Sequence, residues 1–511
     1  MSRHGALVLI GFMGAGKTTA ALALGAERGL RVTDVDQLIE SRAGSPIAEI
    51  FARDGEPAFR ALEEQVVCEL LERASSGDVV ALSGGAITSE RVRHALSGHL
   101  ALWLDVDVEL AWRRVGGGRR PLARDRDEFE ARHAARAPLY AQLADAIVPA
   151  ALHSPLGRVH DAIDQLRRAP DGTRLLWAVS ASAEYPVWVG RGLLGSGLWP
   201  IERPPSRRFA ITDEHVAALW LSAAGELDGT IVVPAGETSK SLERAAAIWS
   251  ELARAGMTRA DHLIALGGGV VGDLAGFCAA AYQRGVAVVQ VPTTLAAQVD
   301  SAYGGKTGVD IPEGKNYVGA FHQPAGVLVD PATLSTLPAA ELSAGYAEVI
   351  KTALIAGGSL WERIAADAPI DDGVIFDCAA TKLAIVAEDE FDDGRRQVLN
   401  LGHTVAHAIE TVTEYRRYRH GEAVALGLLA ALELSEQQQL RSQVAELLGA
   451  HGLPTRAEGL DIAAVASATQ RDKKRVGDSV PFVLLDAPGA VRYGAEVAGQ
   501  RLEAALAGIC A

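Results

Sequence analysis

Residues 11–18 read Gly-Phe-Met-Gly-Ala-Gly-Lys-Thr and follow the apolar run Ala6–Ile10 directly. A helix-favouring stretch, Thr18–Arg28, comes next. This order of strand, glycine-rich loop and helix is typical of a Walker A loop, whose backbone N–H groups face a phosphate from a helix N-terminus. We therefore predict a nucleoside triphosphate site, with Lys17 against the β- and γ-phosphates and the Thr18 hydroxyl on Mg²⁺. The residues predicted to bind nucleotide are Gly14, Ala15, Gly16, Lys17, Thr18 and Thr19.

The length and charge of the chain limit what else it can be. With 511 residues it is long enough for about three domains. A net charge of −15 argues against a general nucleic-acid or anionic-membrane surface. The four cysteines are far apart and form no CxxC pair, which is typical of reduced thiols in a cytosolic protein. Since no uncharged run approaches the roughly 18 residues of a membrane span, we expect a cytoplasmic protein without nucleic-acid or membrane partners.

The pattern of apolar runs predicts three consecutive domains. Strand-like and helical runs alternate over residues 1–168, which predicts a parallel α/β sheet. The turn-rich stretch 169–173 is a candidate linker. Residues 174–340 predict a second, Rossmann-like α/β part, and the Ala-, Leu- and Glu-rich residues 341–511 predict a mainly helical part. The strands predicted after the linker are Leu175–Val179, Phe209–Thr212, Thr230–Val233, His262–Leu266 and Val286–Val291.

Two acidic residues, Asp34 and Asp36, follow the Walker A helix in the segment Val32-Thr-Asp-Val-Asp36. Because alternate residues of a strand face the same side, we expect both carboxylates to point the same way from a strand end. One would bind Mg²⁺ through water, and the other would accept the proton of a hydroxyl that is being phosphorylated. Taken alone, the motif would suit a solvated turn equally well.

Basic and glycine-rich segments predict an acceptor pocket in the same part of the chain. Arg60 lies in a helix-favouring stretch, and Arg136 precedes Ala-Pro-Leu-Tyr140. Leu82-Ser-Gly-Gly-Ala86 is expected to end a strand in a bare backbone loop, and the basic residues 118–122 to form a lid. Two guanidinium groups can bind a substrate carboxylate bidentately. A regulatory module that only senses nucleotide would not need such a pocket.

In the order of these motifs, residues 1–168 resemble shikimate kinase over its full length. The resemblance implies Asp34 near Mg²⁺, Lys17 and Asp36 in catalysis, and Arg120 reaching the ATP phosphates from the lid. The residues that it places around shikimate are Asp36, Arg60, Gly84 and Arg136. Ser83 departs from the family, which has a glycine there, and its small side chain is expected to do little harm.

The second α/β part contains two groups of polar residues among glycines. Gly267-x-Gly269-x-x-Gly272 stands between a strand-like run and a helical run, which favours a dinucleotide-binding turn. Alone, this fingerprint would also suit an ordinary tight turn. Lys306 and Gly314-Lys-Asn316 place two lysines and an asparagine among further glycines, as a phosphorylated and hydroxyl-rich anion requires.

The helical part offers ligands for a metal ion. His403, His407 and His420 are accompanied by several carboxylates, from which we select Glu348. Two histidines and a glutamate would leave a zinc ion one open position for substrate. His403 and His407, at i and i+4, could instead bind the metal together, although the glutamate of an HExxH motif is absent.

From about Arg174 onward the chain resembles 3-dehydroquinate synthase. The resemblance implies a homodimer that uses NAD and zinc or cobalt, with Arg284 reaching the phosphate site of a neighbouring subunit. Asp310-Ile311 replaces a more polar pair, and the stretch between His215 and Ile231 is short for the family. The implied metal ligands are Glu348, His403 and His420, and the implied catalytic residues are Lys351, His407, Lys306 and Asp300. The implied NAD contacts are Asp213, Glu237, Lys240, Gly269, Val270, Val271, Gly272, Asp273, Thr293, Thr294, Lys306, Lys315, Thr333 and Thr336. The implied substrate contacts are Asp300, Lys306, Asn316, Lys351, Lys382, Arg396, Asn400, His407 and Lys473.

The sequence therefore predicts a fused enzyme of the shikimate pathway, with ATP-dependent phosphorylation of shikimate and NAD- and metal-dependent formation of 3-dehydroquinate. The second reaction would oxidise a seven-carbon keto-sugar acid phosphate transiently, expel phosphate and close a carbocycle. Lys351 and His407 are the candidate proton relay, unless the departing phosphate takes the proton itself. The main alternatives are another sugar-phosphate cyclase or a metal-dependent polyol dehydrogenase for the second part, and a nucleotide sensor for the first.

Overall fold

The computed structural model describes residues 5–115, 121–201, 206–469 and 481–510. These residues form two compact units, Met1–Val179 and Ser180–Ala511. Two predicted site residues, Arg120 and Lys473, lie outside the described residues. None of the helices in the described part of the chain is long and apolar enough to cross a membrane.

The first unit is a parallel sheet with helices between its strands. The strands pair in the order β2-β3-β1-β4-β5-β6, with every described pair parallel. Such a sheet is covered on both faces, and β1 is accordingly buried at every position. The strands are β1 (Leu7–Ile10), β2 (Arg31–Asp34), β3 (Asp78–Ala81), β4 (Leu100–Asp105), β5 (Ala146–Pro149) and β6 (Arg174–Val179). The helices are α1 (Lys17–Arg28), α2 (Val35–Ala43), α3 (Ile47–Arg73), α4 (Glu90–Leu96), α5 (Val108–Val115), α6 (Arg126–Leu143) and α7 (Pro155–Arg168).

The last strand of this unit differs from the prediction. We expected Leu175–Val179 to open the second unit after a linker at 169–173. In the structure, β6 instead pairs with β5 through Ala146 and Leu175, so both the turn and the strand belong to the first unit. A turn-rich stretch marks a change of direction in the chain, but it does not determine which strand comes to lie beside which.

The α/β half of the second unit is another parallel sheet, ordered β7-β14-β11-β10-β8-β9. Its central strand β10 is buried throughout, and a cluster of apolar residues from β8, β9, β10, α9 and α10 forms the core on one face. Two strands outside this sheet, β12 and β13, form an antiparallel hairpin. The strands are β7 (Glu184–Val189), β8 (Arg208–Asp213), β9 (Gly229–Val233), β10 (His262–Gly267), β11 (Ala287–Pro292), β12 (Lys306–Ile311), β13 (Gly314–Phe321) and β14 (Gly326–Val329). The helices are α8 (Glu214–Trp220), α9 (Leu242–Arg254) and α10 (Gly269–Ala281).

The remainder of the second unit is mainly helical, as predicted. Helices α11 and α15 are buried along most of their length and pack against each other, which explains their almost continuous apolar sequences. The helices are α11 (Ala339–Ala356), α12 (Gly358–Ala365), α13 (Asp372–Glu388), α14 (His403–Val412), α15 (His420–Leu434), α16 (Gln438–Ala450), α17 (Ile462–Thr469) and α18 (Gly499–Ala507). A hairpin of β15 (Phe482–Ala487) and β16 (Ala490–Ala495) lies between α17 and α18 in the chain.

Candidate active sites

The Walker A loop has the backbone geometry that phosphate binding requires. Gly14 and Gly16 adopt left-handed φ values of 79° and 89°, which disfavour side-chain-bearing residues, and α1 begins immediately afterwards at Lys17. The Lys17 ammonium donates hydrogen bonds to the carbonyl oxygens of Gly11 and Phe12, at 2.8 and 3.0 Å. The loop therefore presents a helix N-terminus and a tethered cation at one place.

The predicted Mg²⁺ residues of the first unit meet. Thr18 Oγ1 donates a hydrogen bond of 2.6 Å to Asp34 Oδ2. Asp34 also accepts from the N–H of Gln37 and so caps α2. A hydroxyl and a carboxylate in contact beside a phosphate loop are suitable oxygen ligands for Mg²⁺.

We expected Asp36 to lie at a strand end, but in the structure it lies on a helix. The chain enters α2 at Val35, because Asp34 caps that helix. The alternation argument for paired carboxylates on a strand was therefore wrong. Asp36 occupies the first turn of α2, where its charge is favourable to the helix dipole.

The two arginines of the predicted acceptor pocket contact the same strand-end loop, residues 83–85. Arg136 Nη1 donates to the Gly84 carbonyl at 3.2 Å. Arg60 Nη1 donates to Glu63 Oε2 at 2.6 Å, and Glu63 Oε1 accepts from the Ser83 hydroxyl at 2.6 Å. Burial lowers the pKa of Arg136, and the positive charge of Arg60 lowers it further. Two neighbouring guanidinium groups held against a bare backbone loop are suited to binding an anion.

The second unit contains a cleft of about 1850 Å³ that brings most of the predicted NAD residues together. Of the fingerprint glycines, Gly269 lines the cleft, together with Gly268, which caps α10 at the end of β10. Lys240 is buried, and its ammonium pairs with Asp273. The predicted NAD residues that line the cleft are Asp213, Glu237, Lys240, Gly269, Val270, Val271, Asp273, Thr293, Thr294, Lys315, Thr333 and Thr336.

The short stretch after β8 forms one end of this cleft. Helix α8 ends with Trp220, whose Nε1 donates a hydrogen bond of 2.9 Å to Thr336 Oγ1. Trp220 lines the cleft with its neighbour Leu219, and Leu219 is about half exposed. An apolar surface of this kind in a cleft is suited to a flat ring.

The three predicted metal ligands form one cluster at the cleft. Donor atoms of Glu348, His403 and His420 all lie within 4.8 Å of one another. Burial, together with the charge of Lys351, lowers the pKa of His403 well below its usual range, so its imidazole is neutral and able to bind a metal. Two imidazoles and a carboxylate are a donor set that zinc and cobalt accept, so the residues fit the ion that the sequence implies.

His407 lines the cleft next to this cluster but is not part of it. Its ring centre lies 5.5 Å from that of His403 and 6.2 Å from that of His420. Of the two arrangements left open by the sequence, the described residues therefore favour Glu348, His403 and His420 as ligands.

Glu410, which we did not single out from the sequence, supports His420. Glu410 Oε1 lies 3.4 Å from His420 Nδ1 and 3.6 Å from Lys315 Nζ. Although burial opposes its charge, hydrogen bonding to His420 lowers the pKa of Glu410 to about 2. Partial burial likewise opposes a charged His420, but hydrogen bonds to Glu348 and Glu410 raise its pKa to about 10. Metal binding at this cluster would therefore release a proton.

A network of charged side chains behind the metal cluster centres on Asp300, which lines the cleft. Lys351 Nζ donates to Asp300 Oδ2 at 2.6 Å and also pairs with Glu348. Lys382 Nζ donates to the Asp300 backbone carbonyl at 2.8 Å and pairs with its carboxylate. Although desolvation opposes its charge, the two lysines hold the pKa of Asp300 well below its usual range. This network joins a cleft-lining carboxylate to a metal ligand through Lys351.

Comparison with known proteins identifies both units. The family model of shikimate kinase matches residues 13–167. Models of the N-terminal and C-terminal parts of 3-dehydroquinate synthase match residues 230–344 and 345–475. The 3-dehydroquinate synthase of Symbiobacterium thermophilum is 42% identical over 332 residues, which are 60% of this chain and 92% of that protein. That of Halorhodospira halophila is 40% identical over 346 residues, 64% of this chain and 98% of its own.

The chain belongs to the 3-dehydroquinate synthase family and carries a shikimate kinase unit before it. A solved structure of 2-epi-5-epi-valiolone synthase from Streptomyces hygroscopicus, with NAD⁺ and Zn²⁺ bound, has a TM-score of 0.59. The two sequences are 24% identical, and the match covers 65% of this chain and 99% of the chain of the solved structure. At that identity, the likeness establishes the fold of the synthase unit alone.

Some residues predicted for the synthase unit do not line the described cleft. Lys306 pairs with Asp392, and Arg396 is fully buried, with Nη2 donating to the Gly304 carbonyl at 2.8 Å. The side-chain nitrogen of Asn400 donates to the Gln397 carbonyl, at 3.0 Å. The predicted residues that are described but do not line this cleft are Gly272, Arg284, Lys306, Lys351, Lys382, Arg396, Asn400 and His403. Lys351, Lys382 and His403 nevertheless contact or adjoin residues that do line it.

Sequence signals for the missed residues exist but are weak. Glu410 is spaced i+3 from His407 and i+7 from His403, so all three residues share one helical face. Glu63 is spaced i+3 from Arg60 on α3. Such spacings are common on exposed helices, and only the burial of both glutamates distinguishes them.

Proposed function

We propose that the chain catalyses two reactions of the shikimate pathway: ATP-dependent phosphorylation of shikimate, and conversion of 3-deoxy-D-arabino-heptulosonate 7-phosphate to 3-dehydroquinate with release of phosphate. One observation carries each reaction. In the first unit, two guanidinium groups face the loop 83–85 in the unit that holds the Walker A loop. In the second, the cluster of Glu348, His403 and His420 lies at the cleft that the dinucleotide loop lines.

The kinase reaction requires positioning and charge neutralisation more than covalent chemistry. Gly14–Thr18 would hold the ATP phosphates, and Thr18 with Asp34 would hold Mg²⁺. Arg60 and Arg136 would bind the shikimate carboxylate, which leaves the ring hydroxyls for Asp36. A carboxylate beside the reacting hydroxyl can accept its proton during transfer.

In the synthase unit, bound NAD⁺ would supply a reversible hydride acceptor and the metal ion would polarise the reacting hydroxyl. Lys240 and Asp273 support the dinucleotide loop, and the apolar end at Trp220 suits the adenosine. Lys351 holds Asp300 and Glu348 in fixed positions, and His407 lines the cleft wall beside the predicted ligand cluster. His407 is therefore our candidate to move the proton of the substrate hydroxyl, with Lys351 fixing the charges around it.

Two further properties belong to the same proposal. A homodimer is supported by Arg284, which is exposed at a turn and does not line the cleft of its own subunit. Its guanidinium would reach the substrate phosphate in a neighbouring subunit. A cytoplasmic location is supported by the four separated thiols, since the described structure leaves all of them unpaired by disulfides.

The test is to supply the purified protein with each substrate separately. With shikimate and ATP·Mg²⁺ we expect ADP and shikimate 3-phosphate in equal amounts. With the heptulosonate phosphate, catalytic NAD⁺ and zinc or cobalt, we expect one phosphate per turnover and no accumulation of NADH. Growth of NADH in step with product, without phosphate release, would assign the second unit to the polyol dehydrogenases instead. ATP hydrolysis that does not depend on shikimate would refute the kinase assignment.

A further inference from the structure

The hydroxyl of Ser83 holds a buried carboxylate at the kinase acceptor pocket. Ser83 Oγ donates to Glu63 Oε1 at 2.6 Å, and the two residues are 7% and 2% exposed. A carboxylate removed from water needs hydrogen-bond donors to remain charged. Ser83 supplies one of them, and a glycine at this position could not.

The same carboxylate fixes one of the two guanidinium groups. Glu63 Oε2 accepts from Arg60 Nη1 at 2.6 Å, so Glu63 links the loop 83–85 to Arg60. Gly85 lies directly against the Arg60 guanidinium, and a Cβ added there would overlap Arg60 Nη1. The carbonyl of Gly84 accepts from Arg136. The loop 83–85 therefore sets the position of both arginines, and Ser83 sets that of Arg60 through Glu63.

The remaining edge of Arg60 is available to a ligand. Its Nε and Nη2 donate to one oxygen of Glu56, at 3.2 and 3.0 Å. The Glu56 side chain is 47% exposed, so water can take its place as a partner when it moves away. A substrate carboxylate could then bind Nε and Nη2 bidentately while Glu63 keeps Nη1 in place.

We propose that Ser83 is a positioning residue for the carboxylate of the phosphoryl acceptor, acting through Glu63 on Arg60. The inference rests on the proposed shikimate kinase reaction. It gives a role to the one position where the kinase motifs of this chain depart from the family pattern, a departure that we had expected to be nearly neutral.

Ser83→Ala and Ser83→Gly test the proposal. Both should raise the KM for shikimate by about five- to tenfold, since one hydrogen bond to a charged group is lost. The kcat and the KM for ATP should change less than about twofold, because the Ser83 hydroxyl donates to Glu63 and not to the Walker A loop. Ser83→Gly carries the residue that the family has here, so a general folding defect is not expected from it.

Ser89→Ala is the matched control. Ser89 also donates a hydrogen bond of 2.6 Å to a glutamate of α3, Glu64, but that glutamate pairs with Arg91. Its loss should lower thermal stability through the cap of α4 and leave the KM for shikimate unchanged.

An acceptor whose carboxylate is replaced by a hydroxymethyl group separates positioning from general damage. Ser83→Ala should leave kcat/KM for this analogue unchanged, because Arg60 has no carboxylate to bind. A wild-type protein that does not phosphorylate shikimate would refute the proposed function. A wild-type kinase whose Ser83 variants keep the same KM for shikimate, or lose kcat and both KM values together, would refute the positioning role alone.

Discussion

At the scale of single residues, the sequence predicted the groups that carry chemistry better than the groups that hold them. Lys17, Thr18 and Asp34 were identified from local spacing, and the structure brings Thr18 and Asp34 into contact. Glu63 and Glu410 were missed, because their importance depends on burial beside partners from other elements. Partners distant in the chain cannot be identified from the spacing of residues within one helix.

Arg136→Ala tests the acceptor pocket. A lost pair between a guanidinium and a carboxylate costs about 1.5–3 kcal/mol, which corresponds to a rise of roughly 10- to 150-fold in the KM for shikimate. The KM for ATP should change much less, because the hydrogen bond of Arg136 goes to the loop 83–85, and its contact with the Walker A loop is limited to the Phe12 ring, whose centre lies 5.8 Å from the guanidinium carbon. Steady-state kinetics with each substrate varied in turn measure both values.

The control for this variant is Arg126→Ala on the same helix, since Arg126 is half exposed and pairs with Glu109 and Glu130. It should leave both KM values unchanged. An Arg136→Ala enzyme weakened equally towards both substrates would place Arg136 in the scaffold and not in the acceptor pocket.

At the scale of elements, strong periodicity was sufficient for prediction and weak periodicity was not. Strands β8 to β11 were predicted to within one residue at each end, because their apolar runs are bounded by polar or turn residues. No strands were predicted for the hairpin β12–β13, since its strands contain glycines and lysines. At its turn, the Asp310 carboxylate accepts a hydrogen bond from the backbone N–H of Asn316. Asn316 adopts a left-handed φ of 57° there. That contact also gives a structural reason for the departure from the family at Asp310.

Helix α14 carries the proposed metal ligand His403 and also Glu410, which contacts the proposed ligand His420. Glu410→Gln should therefore weaken metal binding. Outer carboxylates of this kind contribute about 10- to 100-fold in metal affinity. Competition with a chromogenic chelator measures that affinity without reference to catalysis. Glu433→Gln is the control, because Glu433 lies on α15 like His420 but pairs with Arg441. An unchanged affinity in Glu410→Gln would limit the role of Glu410 to holding Lys315.

Asp105, at the end of β4, makes the stability of the first unit depend on pH. Burial raises its pKa to about 6, above the roughly 3.9 of an unfolded aspartate. The folded state therefore binds the extra proton, and stability falls as the pH rises from about 4 to about 6, then stays level. Asp105→Asn removes this loss. The free energy of unfolding of the variant, relative to that of wild type, should therefore rise by about 1 kcal/mol from pH 5 to pH 8.

Thermal unfolding at the two pH values measures the effect of Asp105→Asn. The transition of the first unit is recognised by its upward shift with added ATP·Mg²⁺, because a ligand stabilises the unit that it binds. A constant difference between variant and wild type at both pH values would show that Asp105 is ionised across the whole range.

At the scale of the whole molecule, the order of the two enzymatic units followed from two complete sets of motifs. Their boundary did not, because it depends on the partner of β6 and not on local sequence. All predicted kinase residues in the described part of the chain lie in the unit that ends at Val179, and all predicted synthase residues lie in the other. Each unit thus contains the described residues that we predict for its own chemistry.

Separate sets of residues predict separable activities. Lys17→Met removes the cation at the phosphates and should lower shikimate phosphorylation by at least about 100-fold, while release of phosphate from the heptulosonate substrate stays within about twofold of wild type. His403→Ala should abolish the second activity and metal retention, and leave the first intact. Both variants are assayed for both reactions in the full-length protein, with circular dichroism as the check on folding. If either folded variant loses both activities, the units depend on each other during catalysis, and the assignment of one complete site to each unit is wrong.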